Sequence, residues 1–181
     1  MVLAFSGKIG SGKSSVSAAV AHVLQLPLVS FGGYVRQQAQ LLALEPTRKQ
    51  LQDLGESLLQ ADAQSFCAAV LAQAPSQAAG LVVDGIRHES VLQILRQLVL
   101  PQQLLHIHLT LEEEVRTERV TQRQRETIDE EEQRRIISHP TEVQVVDILP
   151  SLADIIIDSV DELDNTVSQV IKQVKLNTHG K

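Results

Sequence analysis

Aromatic side chains are scarce in this chain: one Tyr, three Phe and no Trp amount to 2% of its 181 residues. The core must therefore be assembled from Leu, Val, Ile and Ala, of which Leu and Ala suit helices well. Cysteine is almost absent too. Cys67 stands alone, which excludes an internal disulfide. It lies in the helix-like run SFCAAVLA, where a small buried hydrophobe fits better than a nucleophile. No apolar run is long enough to cross a bilayer. The opening Met1-Val2-Leu3-Ala4-Phe5 lacks the basic flank of a secretory leader and meets glycine too soon, so none is expected. Positive charge is in deficit, 16 Lys and Arg against 22 Asp and Glu, for a formal net charge of -6. Nucleic-acid binders usually carry a basic stripe, so nucleic acid is excluded as a partner class, while a small anion in a local pocket is not. The expectation is a single domain over residues 1–181, in a reducing cytoplasm, with small-molecule partners, no membrane and an oligomeric state left open.

What is present is an alternation. VLAF reads as a short buried strand, followed by a glycine-rich loop and then VSAAVAHVLQ, apolar at helical spacing. LPLVSF is a second apolar run, ending at Gly32-Gly33. YVRQQAQLLAL is helical by pattern until Pro46. TRKQLQDLGESLL and DAQSFCAAVLAQA read as two further helical segments. LVVDG is the clearest buried strand, ESVLQILRQLVL an amphipathic helix stopped by Pro101, and LLHIHLT another strand. LEEEVRTERVTQRQR is a charged helix whose acidic first turn suits the positive end of the helix dipole. TIDEEEQRRIISHPTEVQ is a polar stretch, read as part of an insertion over the sheet. DIIID closes the strands, and DELDNTVSQVIKQV forms a last helix with Asp161 as its cap. This order predicts a three-layer α/β fold: a mostly parallel sheet of about five strands with helices on both faces.

The loop itself, Gly7-Lys8-Ile9-Gly10-Ser11-Gly12-Lys13-Ser14, fits G-x-x-x-x-G-K-[ST] between a strand and a helix. Its glycines permit a backbone whose N–H groups turn inward as an anion nest. The helix that starts near Lys13 adds its positive end, with Ser15 in its first turn. Lys13 can reach β- and γ-phosphates, and the Ser14 hydroxyl can ligate Mg²⁺. Asp84, ending the strand LVVD, is placed to orient that cation. The following residue is Gly85 rather than a glutamate that would activate water, which speaks against a motor-type ATPase. No Asn-Lys-x-Asp run is present to read guanine. A phosphotransferase using ATP and Mg²⁺ remains.

With these motifs in place, the chain resembles the small P-loop kinases, including nucleoside monophosphate kinases and dephospho-CoA kinase, over nearly its whole length from FSGKIGSGKS to ADIIID. VSFGGYVRQQA is similar to the acceptor-side stretch of monophosphate kinases, which implies that Arg36 grips an acceptor phosphate. Gly33 stands where that family often has aspartate. VVDGIRH is similar to an Asp-Gly-x-x-Arg stretch, one residue shorter, and so implies Arg87 as a second acceptor ligand. EVRTERVTQRQRETIDEEEQRRIISHPTEVQ followed by LADIIID looks most like dephospho-CoA kinase, and His139-Pro140-Thr141-Glu142 is similar to an element of deoxynucleoside monophosphate kinases. The resemblance implies an acceptor-binding helical region over about residues 33–79 and a lid over about 116–141.

Arg116, Arg119 and Arg123 are three and four residues apart, hence on one helix face. In the lid reading, Arg119 and Arg123 stabilise charge on the transferring group, while closure expels water. His106 and His108 share one side of their strand and are read as satisfied core histidines rather than a zinc pair. His88 either contacts the acceptor or caps the next helix. The reading is thus an ATP-dependent phosphotransferase acting on a nucleotide-like or phosphorylated acceptor. Dephospho-CoA kinase and a non-catalytic ATP-binding regulatory protein are its rivals.

Overall fold

The structure is a computed structural model and describes residues 1–115, 140–160 and 162–179. Strand β1 (Val2–Gly7) is buried along its whole length, as a central parallel strand covered on both faces must be. It pairs in parallel with β3 (Leu81–Ile86) on one side and β4 (Leu104–Thr110) on the other. The edges are β2 (Leu28–Ser30), paired with β3, and β5 (Ile155–Asp158), paired with β4, giving the order β2-β3-β1-β4-β5. The chain fills one side of β1 before crossing to the other. Such a reversal leaves a crevice beyond the carboxyl ends of the strands.

Six helices cover this sheet among the described residues: α1 (Lys13–Leu24), α2 (Phe31–Leu41), α3 (Arg48–Leu71), α4 (Glu89–Leu98), α5 (Pro140–Asp147) and α6 (Leu163–His179). The alternation of side chains along each strand splits the core in two. Leu3 and Phe5 of β1 pack with Val16 and Val20 of α1 and with Val167, Val170 and Val174 of α6. Val2 and Ala4 face the opposite layer, where Val35, Phe66, Leu92 and Leu95 bring α2, α3 and α4 onto the sheet. Leu92 and Leu95 are fully buried, each worth roughly 2 kcal/mol of transfer free energy. Three of the four aromatic residues meet in this layer. Phe31 and Phe66 stand edge to face at 5.2 Å between ring centroids, and Tyr34 lies 5.7 Å from Phe66, so they fasten α2 to α3.

The expected alternation and parallel sheet are found, with local differences. LPLVSF does not run extended to the glycines. The strand stops at Ser30, which is extended (φ -139°, ψ 129°) and caps α2 by accepting a hydrogen bond from the Gly33 backbone N–H at 3.2 Å. Gly32 and Gly33 thus fall in the first turn of α2, where helical N–H groups have no intrahelical partner in any case. The two segments expected between Thr47 and Ala74 are both found and meet in α3 at a kink at Asp62, whose backbone leaves the helical region (φ -162°, ψ 94°). Asp62 restarts the helix by accepting from Ser65 N–H at 2.9 Å and from Ser65 Oγ–H at 2.6 Å. These bonds hold its carboxyl below the usual range. Helix α5 was not expected. It begins at Pro140, and proline at a first helical position costs no hydrogen bond. Cys67 is buried as expected, and burial pushes its thiol up to about 11. The proposed cap Asp161 lies outside the described residues.

Candidate active site

The loop Gly7–Ser15 carries the chain from β1 into the amino end of α1. Gly10 (φ 89°) and Gly12 (φ 75°) are left-handed, the alternation that turns successive N–H groups toward one point. Gly7 (φ 152°) permits close approach as well: a Cβ there would lie 2.8 Å from the Leu109 carbonyl oxygen and from Ser11 Oγ. Within the loop, Ser11 N–H donates to Lys8 C=O at 3.1 Å, and Ser15 and Val16 N–H both donate to Gly12 C=O at 3.0 Å. A brace comes from the far end of the sheet. Ser159 Oγ lies 2.8 Å from the Ser11 carbonyl oxygen and 2.7 Å from that of Thr110, its single proton shared between them.

Asp84 meets this loop from β3. Its Oδ1 accepts from Lys13 Nζ at 2.8 Å and its Oδ2 from Ser14 Oγ–H at 2.8 Å. The carboxylate and the ammonium are both about nine-tenths buried. Burial lowers the Lys13 pKa, Asp84 works against that, and the cations Arg87 and Arg36 lower it further. The aim of Asp84 depends on the next residue. The β1–β3 register passes from Phe5–Asp84 to Ser6–Ile86, leaving Gly85 as an unpaired bulge at φ 95°. Ser14 Oγ and Asp84 Oδ2 fit a hydrated Mg²⁺. They are hard oxygen donors, and their 2.8 Å separation is near the about 3.0 Å edge of an octahedron with Mg–O near 2.1 Å.

A cavity of about 750 Å³ opens from the loop. Arg36 from α2 and Arg87, which follows β3, line it together with Lys13, Ser14 and Asp84. Arg116, Arg119, Arg123 and His139 lie outside the described residues. Sequence reasoning missed a contribution from α3, whose Arg48, Gln52 and Glu56 also line the cavity. Their four-residue spacing was the available signal. Burial and the neighbouring Arg48 lower Arg87 to about 10, with Asp84 opposing, so it stays charged at neutral pH. His88 occupies the capping position of α4 without a side-chain cap bond, and its Nε2 lies 3.6 Å from Glu56 Oε2 at the cavity wall.

The histidine pair on β4 serves the core. Ser6 Oγ lies 2.7 Å from His106 Nε2 and 2.7 Å from His108 Nδ1, and His106 Nδ1 lies 3.1 Å from Leu152 C=O. With both rings neutral the protons run one way: His108 Nδ1–H to Ser6, Ser6 O–H to His106, His106 Nδ1–H to the carbonyl. Among the described residues, no three His, Cys, Asp or Glu side chains gather as a metal site. No helix among those residues is long and apolar enough to cross a membrane.

A parallel sheet of this order, with a glycine-rich phosphate loop between β1 and α1 and an acid at the end of β3, defines a P-loop nucleotide-binding fold. The chain belongs to the AAA domain family, which matches residues 3–138. Solved structures share the fold at low identity. A gluconokinase from Sinorhizobium meliloti 1021 is 18% identical with TM-score 0.65, over 99% of this chain and 94% of that one. A shikimate kinase from Aquifex aeolicus vf5 is 15% identical with TM-score 0.63, over 100% of both chains. A shikimate kinase from Bacteroides thetaiotaomicron is 13% identical with TM-score 0.61, over 97% of this chain and 99% of that one. No curated protein gives a significant match.

Proposed function

We propose that this chain is a P-loop kinase that uses ATP and Mg²⁺ to phosphorylate a small nucleotide-like or phosphorylated acceptor. The observation that carries the reading is the Lys13–Asp84–Ser14 cluster, with both contacts at 2.8 Å, opening onto a cavity that Arg36 and Arg87 line. Anionic groups are thereby invited from two sides. The loop amides of residues 7–15 and Lys13 hold the donor phosphates. Ser14 and Asp84 hold the cation, which when bound neutralises charge on the donor phosphates. Lys13 leaves Asp84 for the phosphate oxygens when the donor arrives. Residues 33–79 form the acceptor side of one domain, with Arg36 and Arg87 as anion ligands. Arg119 and Arg123, within the lid of residues 116–141, close over the transferring group and exclude water.

The likeness in fold to a gluconokinase and to shikimate kinases supports small-molecule phosphorylation as the class of reaction. Gly33, at the first turn of α2, provides no carboxylate to deprotonate an alcohol. A phosphate acceptor is already ionised and requires positioning instead, which favours a phosphorylated acceptor over a sugar alcohol. The same glycine is what favours the rival reading, a regulatory protein that binds ATP without transferring phosphate. Lys13→Ala is expected to lower transfer from ATP at least a hundredfold while its circular dichroism shows the fold retained. Turnover equal to wild type would refute the mechanism. ATP binding by the wild type without transfer to nucleoside monophosphates, dephospho-CoA, gluconate or shikimate would establish the regulatory reading.

A further inference from the structure

We infer that the Lys8 side chain is a second ammonium for the donor phosphates and that Glu113 competes for it: the carboxylate holds Lys8 while the loop is empty and yields it when a triphosphate binds. This inference rests on the kinase reading above. It adds a side chain and its competitor to a donor site that otherwise uses main-chain amides and Lys13.

Lys8 belongs to the phosphate loop and lines the same cavity as Lys13 and Ser14. Its backbone is pinned. Lys8 C=O accepts from Ser11 N–H at 3.1 Å, and the preceding Gly7 packs so closely that a Cβ there would lie 2.8 Å from the Leu109 carbonyl oxygen. Movement is therefore left to the side chain, which turns on a flexible four-carbon stem. The two loop lysines lean to opposite sides of β1. Lys13 pairs with Asp84 of β3, whereas Lys8 Nζ lies 3.3 Å from Glu113 Oε2, in the segment that leaves β4. An anion in the nest between them has an ammonium within reach on each flank.

The two pairs differ in strength. Lys13 and Asp84 are 2.8 Å apart and about nine-tenths buried, while the Lys8 and Glu113 side chains are 34% and 59% exposed. Exposed ion pairs stabilise little. The 3.3 Å contact is also longer than a charge-assisted N–H···O bond, which is nearer to about 2.8 Å. Glu113 thus holds its lysine loosely against a ligand that carries several charges. ATP stays negative after Mg²⁺ has bound, and Lys13 answers only part of that charge; Lys8 answers more. Asp84 has a second duty once Lys13 leaves it, since it holds the cation. Glu113 has none beside a phosphate, and its exposure lets the carboxylate turn into water, where repulsion is screened.

Calorimetric titration with ATP and Mg²⁺ tests this, with circular dichroism to check that each variant keeps the fold. Lys8→Met should weaken ATP about tenfold or more, as expected for a lost hydrogen bond between charged groups, and Lys8→Arg should recover part of the loss. Glu113→Gln should tighten ATP by up to about fivefold, the range that an exposed ion pair allows. A pair that only braced the loop would, when cut, leave the affinity unchanged or lower it. Glu114→Gln removes the same charge from the next residue and should tighten ATP less, because general repulsion acts through both glutamates. The inference is overturned if Lys8→Met binds ATP as tightly as wild type, if Glu113→Gln binds it no more tightly, or if Glu114→Gln matches Glu113→Gln. In each of these cases wild-type binding leaves the donor half of the proposed function standing. No ATP binding by the wild type would remove the kinase reading and this inference with it.

Discussion

Ser6 has one hydroxyl proton and two imidazoles to satisfy, and the arrangement works only while both rings are neutral. Protonating His108 would set a cation in a buried site beside His106 and near Lys8. Burial, then these two neighbours, push it down from 6.5 to about 4. Burial lowers His106 as well, although its bond to Leu152 C=O opposes this. A histidine depressed in the folded state gives stability that is fully present above the unfolded pKa and is lost as pH falls through the folded one. For His108 that window runs from 6.5 down to about 4, and the loss amounts to about 3 kcal/mol at 1.36 kcal/mol per pH unit. Urea unfolding between pH 7 and about 4 should show this fall. His108→Gln, which keeps hydrogen-bonding capacity without titrating there, should fall less over the same range. Equal falls in the two proteins would assign the acid sensitivity elsewhere. The residue types at the phosphate loop were legible because each has a local duty. The histidines were legible only as residues sharing a face, since the Ser6 hydroxyl inserted between them comes from another strand.

At the scale of elements, β3 does more than fill the sheet. Its Gly85 bulge interrupts the regular pairing with β1, which resumes at Ser6–Ile86, and presents Asp84 to the loop. A Cβ on Gly85 would meet Phe31 Cβ at 3.7 Å and Gly32 N at 3.8 Å, ordinary contacts. The expected cost of Gly85→Ala is therefore conformational, from φ 95°, and of order 1–2 kcal/mol. The urea midpoint should drop with little change in slope, and Mg²⁺-dependent ATP binding should weaken with it. A variant as stable as wild type would mean that the bulge relaxes freely. Strands and helices themselves were readable from their periods of two and 3.6. The boundary at Ser30 was not, because an apolar run looks alike whether it continues as strand or turns into a capped helix. Asp62 was readable as a segment start but not as a bend: capping and kinking use the same side-chain bonds.

Across the whole molecule, one hydroxyl ties the last strand to the first loop. Ser159 follows β5, yet it reaches the Ser11 and Thr110 carbonyls at 2.8 and 2.7 Å, joining residues 148 positions apart in sequence. Ser159→Ala should lower stability by about 1–2 kcal/mol, since buried carbonyls lose a donor. It should also raise the KM for ATP more than it lowers kcat, because it loosens the loop that binds the donor. An unchanged KM would limit Ser159 to a structural part. Nothing local marks this serine, which explains why sequence reasoning passed over it.

The amino-acid sequence by itself determined the phosphate loop, the alternation of strands and helices, and the parallel sheet that follows from it. These are written in backbone freedom and in periodic burial, properties of neighbouring residues. Only the tertiary structure decided that Asp84 touches Ser14 and Lys13 and that Arg48 joins Arg36 and Arg87 around one cavity. The reason is geometric. Such meetings depend on how α2 and α3 pack over β3, and that packing arises from the joint burial of side chains far apart in the chain, such as Phe31 and Phe66.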